Sequence, residues 1–336
     1  MSVDVRLATD DDRTRWNECV ERSRHGTVCH EFEALHVQAE HSGATLHPLI
    51  GFKGQEPVGL FPVFEIRKGF VSTVFSPPPH LRVPYLGPAF VNMGKLKQRK
   101  RERRQERFMD GCFEWIESEL APKYSHLRTT TAVTDSRPFT WNDFDVTPEH
   151  TYVVDLTPNE DELLMQFSSD ARSNIRGADE DAYDVDVGGD EEIRRIVEQV
   201  RRRYESQGVG FEVSEEFVCD LADRAKNGSV RPYTLRVDDE FVGGILALEY
   251  GDTIGRWLGG VRTDTDVNLS TNDLLDWAVM CDGQSRGLTQ YDLVGAATPR
   301  INRYKAKFNP TLRTYYTIEG GSWGMQRVAS LYNRVK

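Results

Sequence analysis

Val3 to Leu7 alternates apolar and polar positions as a short strand does. Helical spacing follows, with Trp16 and Val20 on one face, and Thr9-Asp10-Asp11-Asp12 supplies a hydroxyl and carboxylates for the helix start. That helix is expected to reach about Ser23. A second is expected over 31–40, then a hairpin of His47 to Phe52 and Val58 to Ile66 around Gly54-Gln55-Glu56-Pro57. The plan then returns. Tyr183 to Val187 alternates, Gly189-Asp190-Glu191-Glu192 opens an amphipathic helix to about Ser206, and Ser214 caps another ending near Asn227-Gly228. Arg231 to Val237 and Phe241 to Tyr250 form a second hairpin. Asp10 and Asp190 lie 180 positions apart, as do Val5 and Val185. Pro48 and Pro232, Glu56 and Glu240, Val58 and Val242, and Gly59 and Gly243 lie 184 apart. Shared register of this kind indicates an internal duplication.

Each copy continues in kind. In the first, a strand over 70–75 leads through a rigid loop, Ser76-Pro77-Pro78-Pro79 and Val83 to Pro88. A helix over 94–120 and a strand over 125–133 complete it. In the second, a strand over 253–261, a helix opened by Ser270-Thr271-Asn272-Asp273 as a capping-box variant, and the strand Tyr291 to Val294 play the same parts. The expected fold is α/β (α+β): two tandem domains, 1–157 and 158–336, each a mixed sheet flanked by helices. Between the copies, Tyr152 to Leu156 reads as a strand and Thr157-Pro158-Asn159-Glu160 as a helix start with Thr157 as N-cap. The linker helix should span 158–178, burying Leu163, Leu164 and Phe167. It places Arg172 and Arg176 one turn apart, where two guanidiniums either grip a phosphate or carboxylate, or pair with Asp179 or another acid.

A chain of 336 residues, 38% hydrophobic, has enough apolar material for two cores. No apolar run reaches membrane-spanning length, and the N-terminus lacks the basic start and apolar core of a signal peptide, so a cytoplasmic protein is expected. Five scattered cysteines and no CxxC pair exclude a disulfide framework and an evident zinc site. His30-Glu31 begins like a zincin motif, but Ala34 stands where the second histidine belongs, so no metal site is expected. The net charge is −11, and arginine outnumbers lysine about threefold, a composition that suits a salty cytoplasm. Within that acidity, Lys95 to Arg107 holds eight cations in thirteen residues, which fits either an RNA-phosphate contact or a solvated helix laced by Glu102 and Glu106.

Gln290 to Tyr316 holds the densest candidate chemistry. The strand ends at Gly295, a small-residue turn follows through Ala296-Ala297-Thr298-Pro299, and a short helix carries Arg300, Arg303, Lys305 and Lys307 before the strand 312–318. Cations beyond a strand end can meet an anionic or polarised group.

The order of elements, with Ser76-Pro77-Pro78, Tyr85-Leu86-Gly87-Pro88, Arg172-Ser173-Asn174-Ile175-Arg176, Gly287, Tyr291 to Gly295 and Lys305-Ala306-Lys307-Phe308, resembles the Fem-type (FemABX) and BioF2-like tandem GNAT acyltransferases. The resemblance implies transfer of an acyl or aminoacyl group to an amine of a cell-envelope or glycan precursor. It implies that Lys305 sits at the reacting carbonyl and stabilises an oxyanion. It also implies substrate contacts from Arg172, Arg176, Tyr85 and Arg303, with a small-molecule or lipid- or nucleotide-linked amine as acceptor. Asp292, at a strand end, either takes or orients a proton of the amine or holds loop amides. No tightly bound cofactor is implied, and the donor is acyl-CoA or aminoacyl-tRNA. Asn268-Leu269-Ser270-Thr271 stands where a CoA-binding GNAT has its glycine-rich turn, without the glycines. The alternative is a catalytically silent tandem module that binds a phosphorylated glycan or a protein partner.

Overall fold

A computed structural model describes residues 2–226, 228–260, 269–296 and 298–321. In chain order the strands are β1 (Asp4–Leu7), β2 (Thr45–Lys53), β3 (Glu56–Lys68), β4 (Val71–Ser76), β5 (Ala89–Phe90), β6 (Tyr124–Arg128), β7 (Asp145–Asp155), β8 (Asp184–Val187), β9 (Val230–Val237), β10 (Glu240–Tyr250), β11 (Thr253–Gly259), β12 (Gln290–Asp292) and β13 (Thr311–Gly321). The α-helices are α1 (Arg13–Arg22), α2 (Phe32–Ser42), α3 (Gln98–Leu120), α4 (Arg137–Thr140), α5 (Glu160–Gln166), α6 (Ser169–Arg176), α7 (Asp190–Glu205), α8 (Glu215–Arg224), α9 (Thr271–Ser285) and α10 (Pro299–Ala306).

Two compact units result. The first comprises the chain to Glu149 together with the described residues from Thr314 on, and the second comprises His150–Arg313. The first unit's sheet runs β1-β2-β3-β4-β6-β13, with β5 beside β3; the second's runs β8-β9-β10-β11-β12-β7. Within each, one pair is parallel, β4 with β6 and β11 with β12, and the other pairings are antiparallel. The duplication read from residue offsets is thus present as duplicated topology.

The sixth strand of each sheet was not legible as such. In the second unit it is β7, which precedes the repeat; in the first it is β13, whose Thr317 to Gly321 pair with Tyr124 to Arg128. The strand 312–318, which the expected boundaries place in the second domain, therefore completes the first unit's sheet. The unit boundary accordingly falls at 149/150, not at 157/158.

The expected linker helix is two helices. Phe167 is extended (φ −70°, ψ 160°), so the chain turns between α5 and α6. The N-cap is Asn159, not Thr157: its side chain accepts from the amide of Glu162, while the Thr157 hydroxyl donates to Asp155.

Spacing decides which faces are buried. On α3, Phe108, Met109, Cys112, Phe113, Ile116 and Leu120 face the first core, while Arg99, Lys100, Arg101 and Arg103 stay outside and Arg104 is turned in to pair with Glu56. Phe108 lies directly on the cross-strand pair Gly51 and Gly59, where a Cβ would fall within 2.5 Å of the ring or closer. On α7, Ile193, Ile196, Val197 and Val200 recur at helical spacing and are buried. The second core gathers Leu163, Phe167, Leu235, Ile245, Leu275, Tyr291 and Phe308.

Candidate active site

β12 ends at Asp292, and the chain leaves it through Val294 (φ +48°) and Gly295 (φ +83°). A left-handed conformation is strained for a β-branched residue such as Val294, so the surroundings must hold it. The Val294 amide donates to Asp292 Oδ1 at 2.8 Å, and the Thr151 hydroxyl donates to the same oxygen at 2.6 Å. The Gly295 amide donates to Thr151 Oγ1 at 2.9 Å. From α10, Lys305 Nζ donates to the carbonyls of Val294 and Gly295, both at 2.7 Å. Asn302 Nδ2 donates to the carbonyl of Ala296 at 3.2 Å. The strand-end loop is clamped on its amide side by Asp292 and Thr151, and on its carbonyl side by Lys305.

α10 can present Lys305 because its start is well specified. Thr298 is the N-cap, its hydroxyl accepting from the Ile301 amide, and Pro299 fills the first turn. Lys305 is buried, and burial brings its pKa down from the usual 10.5 to about 8. The nearby Arg256 charge adds to that lowering, while Asp292 and Asp276 oppose it.

Beneath the loop lies a polar cluster centred on Asp276. The carboxylate is fully buried and accepts from the hydroxyls of Tyr291 and Tyr304, each at 2.5 Å. Arg256 Nε lies 3.3 Å from its Oδ1. Burial works against the charge on Arg256, yet Asp276 and the two tyrosines keep its pKa above the usual value. Burial, then the Asp276 charge, pushes both phenols well above their ordinary range, so they remain donors. One helical turn earlier, Asp273 accepts from Asn174 at 2.7 Å and pairs with Lys307, whose ammonium lies 4.4 Å from the Tyr304 ring centre. Asp273 was expected in a capping box; its carboxylate instead joins α9 to α6 and α10. Asn268, the first residue of the expected donor turn, and Ala297 lie outside the described residues.

The structure brings Lys305 and Asp292 to one loop, and gives Asp292 the amide bond that its structural reading required. Arg172 and Arg176 share a face of α6, beside Met165. Arg172 donates to the carbonyls of Phe167 at 2.6 Å and Met165 at 3.3 Å, fixing the α5–α6 corner, while exposed Arg176 reaches the Met165 sulfur at 3.5 Å. The Ser168 amide donates to the Lys307 carbonyl at 2.8 Å, tying that corner to the end of α10. Arg303 is exposed, about 200° around α10 from Lys305. Tyr85 lies in the first unit, edge-on to Tyr315 at 5.1 Å.

Sequence reasoning passed over Arg256, Asp276, Tyr291 and Tyr304 as a set. Their signal was present: Asp276 is a lone acid in the apolar run Leu274-Leu275-Asp276-Trp277, where a buried charge requires partners.

Residues 166–306 match the family described as Acetyltransferase (GNAT) domain. The second unit carries a GNAT domain. That match assigns residues 166–306 of the second unit to the GNAT N-acyltransferases. Among curated proteins no sequence match is found.

Solved structures share the whole tandem GNAT architecture. The crystal structure of FemX is similar with a TM-score of 0.72 at 11% identity, covering 93% of this chain and 96% of that one. The C-terminal domain of a putative lysylphosphatidylglycerol synthetase from Agrobacterium fabrum gives 0.59 at 13% identity, covering 97% and 96%. A tandem GNAT protein from the clavulanic acid biosynthesis pathway gives 0.50 at 11% identity, covering 95% and 99%. The tandem fold is therefore of the Fem type. Among the described residues no helix is long and apolar enough to cross a membrane.

Proposed function

We propose that this GNAT protein transfers an acyl or aminoacyl group to an amine of a cell-envelope or glycan precursor, by direct attack in the second unit, with Lys305 stabilising the oxyanion. The observation that carries this reading is the placement of the Lys305 ammonium. Two of its three N–H bonds are fixed by the Val294 and Gly295 carbonyls, leaving one donor for a developing negative charge. A preorganised donor of this kind contributes about 3–4 kcal/mol to a tetrahedral transition state. Asp292 then serves by holding the Val294 amide and by favouring the charged form of Lys305. Exposed Arg176 and Arg303 supply cations for a phosphate-bearing acceptor. FemX and a lysylphosphatidylglycerol synthetase domain, both sharing the fold, support aminoacyl transfer as the class of reaction.

Incubating the protein with amine acceptors and either acyl-CoA or charged tRNA should give an acylated amine detectable by mass spectrometry. Absence of product with every donor, alongside ligand binding that depends on Arg176, would support the silent binding module instead.

The choice between the two donors can be tested on the first unit. Lys95, Lys97, Arg99, Lys100, Arg101, Arg103 and Arg107 are exposed, while Glu102 pairs off the helix with Arg137 at 2.9 Å. Glu102 is therefore paired with a cation outside the run and not with its neighbours, which favours an RNA contact. Replacing these seven cations by glutamine should weaken charged-tRNA binding and its salt dependence, and leave an acyl-CoA reaction unchanged. Unchanged tRNA binding would make the run a solvated helix face.

A further inference from the structure

The two units can be aligned strand by strand, which shows what each carries at the same place. In the second unit Thr253 pairs with Gln290 and Gly255 with Asp292; in the first Thr73 pairs with Tyr124 and Phe75 with His126. His126 thus holds the position of Asp292. On the neighbouring strand, Val153 faces Asp292 and Glu319 faces His126, so Thr317 holds the position of Thr151. Arg128, two residues beyond His126 and opposite Thr317, holds the position of Val294.

Side chains alternate along a strand, so Tyr124, His126 and Arg128 of β6 share one face with Thr317 and Glu319 of β13. The opposite face, through Leu127 and Ile318, packs into the core with α3. At the end where the second unit carries its lysine-clamped loop, the first unit therefore presents an ionisable set. Glu149 accepts from the hydroxyls of Tyr315 and Thr317, each at 3.2 Å. Tyr124 donates to Glu319. Burial, then the Arg128 charge, lowers the His126 pKa.

Arg128 is the exception to this pairing. Its Nε–H is buried and has no hydrogen-bond partner, and the guanidinium makes no ion pair among the described residues. The Nε–H itself is sealed from solvent, but the rest of the half-buried guanidinium carries a charge that a carboxylate ligand would balance. Glu149 stands on the same cluster without pairing to it, so the site offers separated positive and negative groups.

We propose that the first unit has its own ligand site at the C-terminal end of β6, taking a zwitterionic amino acid or short peptide. Arg128 grips the ligand's carboxylate and Glu149 its ammonium. A simple anion is disfavoured by Glu149, and a simple cation by Arg128. This site does not depend on acyl transfer by the second unit.

The test is an NMR titration of the full chain, following the His126 imidazole signal, assigned with His126→Gln. The probes are alanylalanine, N-acetylalanine (carboxylate only) and alaninamide (ammonium only). Alanylalanine should shift the signal saturably, and Arg128→Gln should weaken it at least about tenfold, the range of a charge-assisted hydrogen bond. Glu149→Gln should weaken alanylalanine but not N-acetylalanine. Because Arg128 has no hydrogen-bond or ion-pair partner among the described residues, Arg128→Met should melt no lower than wild type. No saturable shift up to about 50 mM dipeptide, undiminished binding by Arg128→Gln, or a large loss of stability in Arg128→Met would each overturn the proposal.

Discussion

Lys305→Ala is expected to slow acyl transfer about 10²–10³-fold with little change in acceptor KM, because the lost donor acts on charge that exists only in the transition state. Alanine also removes the clamp on the Val294 and Gly295 carbonyls, so part of the loss could come from a relaxed loop. Lys305→Arg separates the two effects. It keeps a cation and can hold carbonyls, but its guanidinium cannot occupy the ammonium's position, so it should recover stability more than rate. Steady-state kinetics with thermal melts of both variants measure this. Rates within a fewfold of wild type for Lys305→Ala would remove the residue from the chemistry.

The largest effect on stability is expected at Asp276. Its carboxylate serves two buried phenols and a buried guanidinium. Asp276→Ala strands all three, and breaking a buried pair from one side costs about 3–5 kcal/mol. Asp276→Asn should cost less, since its amide oxygen still accepts from a tyrosine, though it no longer balances Arg256. Urea unfolding of the two variants gives the comparison, and a loss below about 1 kcal/mol for Asp276→Ala would show that the cluster is not a structural hub.

Lys305 has a pH signature of its own. Its folded pKa is lowered from 10.5 to about 8, so the folded protein releases this proton before the unfolded chain does. Its burial therefore costs stability below about pH 8, and that cost is relieved as the pH rises from about 8 toward 10.5. The site retains a destabilising charge, as expected where function sets the residue.

Much of the fold was legible because local patterns repeat: the strands, the hairpins and the α7 face follow from alternation and helical spacing. The exchange of sixth strands was not, because pairing Thr317 with Arg128 joins segments 189 residues apart that local pattern does not connect. The break at Phe167 was also hidden, since Leu163, Leu164 and Phe167 suit one continuous helical face. At the site, Lys305 and the Arg172–Arg176 spacing could be read from the chain. The job of Arg172 could not, because its acceptors are backbone carbonyls of the preceding turn. Lys307, named only as one cation of the segment after β12, is paired with Asp273.

In the proposed reaction Lys305 acts as a charged ammonium on the reacting carbonyl. The most direct test of that role is the pH dependence of acyl transfer to hydroxylamine, an acceptor unprotonated across the neutral and alkaline range, so that the protein's own titration is seen. The rate should be level near neutrality and fall as the pH passes about 8, where Lys305 loses its proton, with no such fall in the residual rate of Lys305→Ala. A rate that instead rises through the same range would contradict it, because the neutral amine would then be the active form and Lys305 a base.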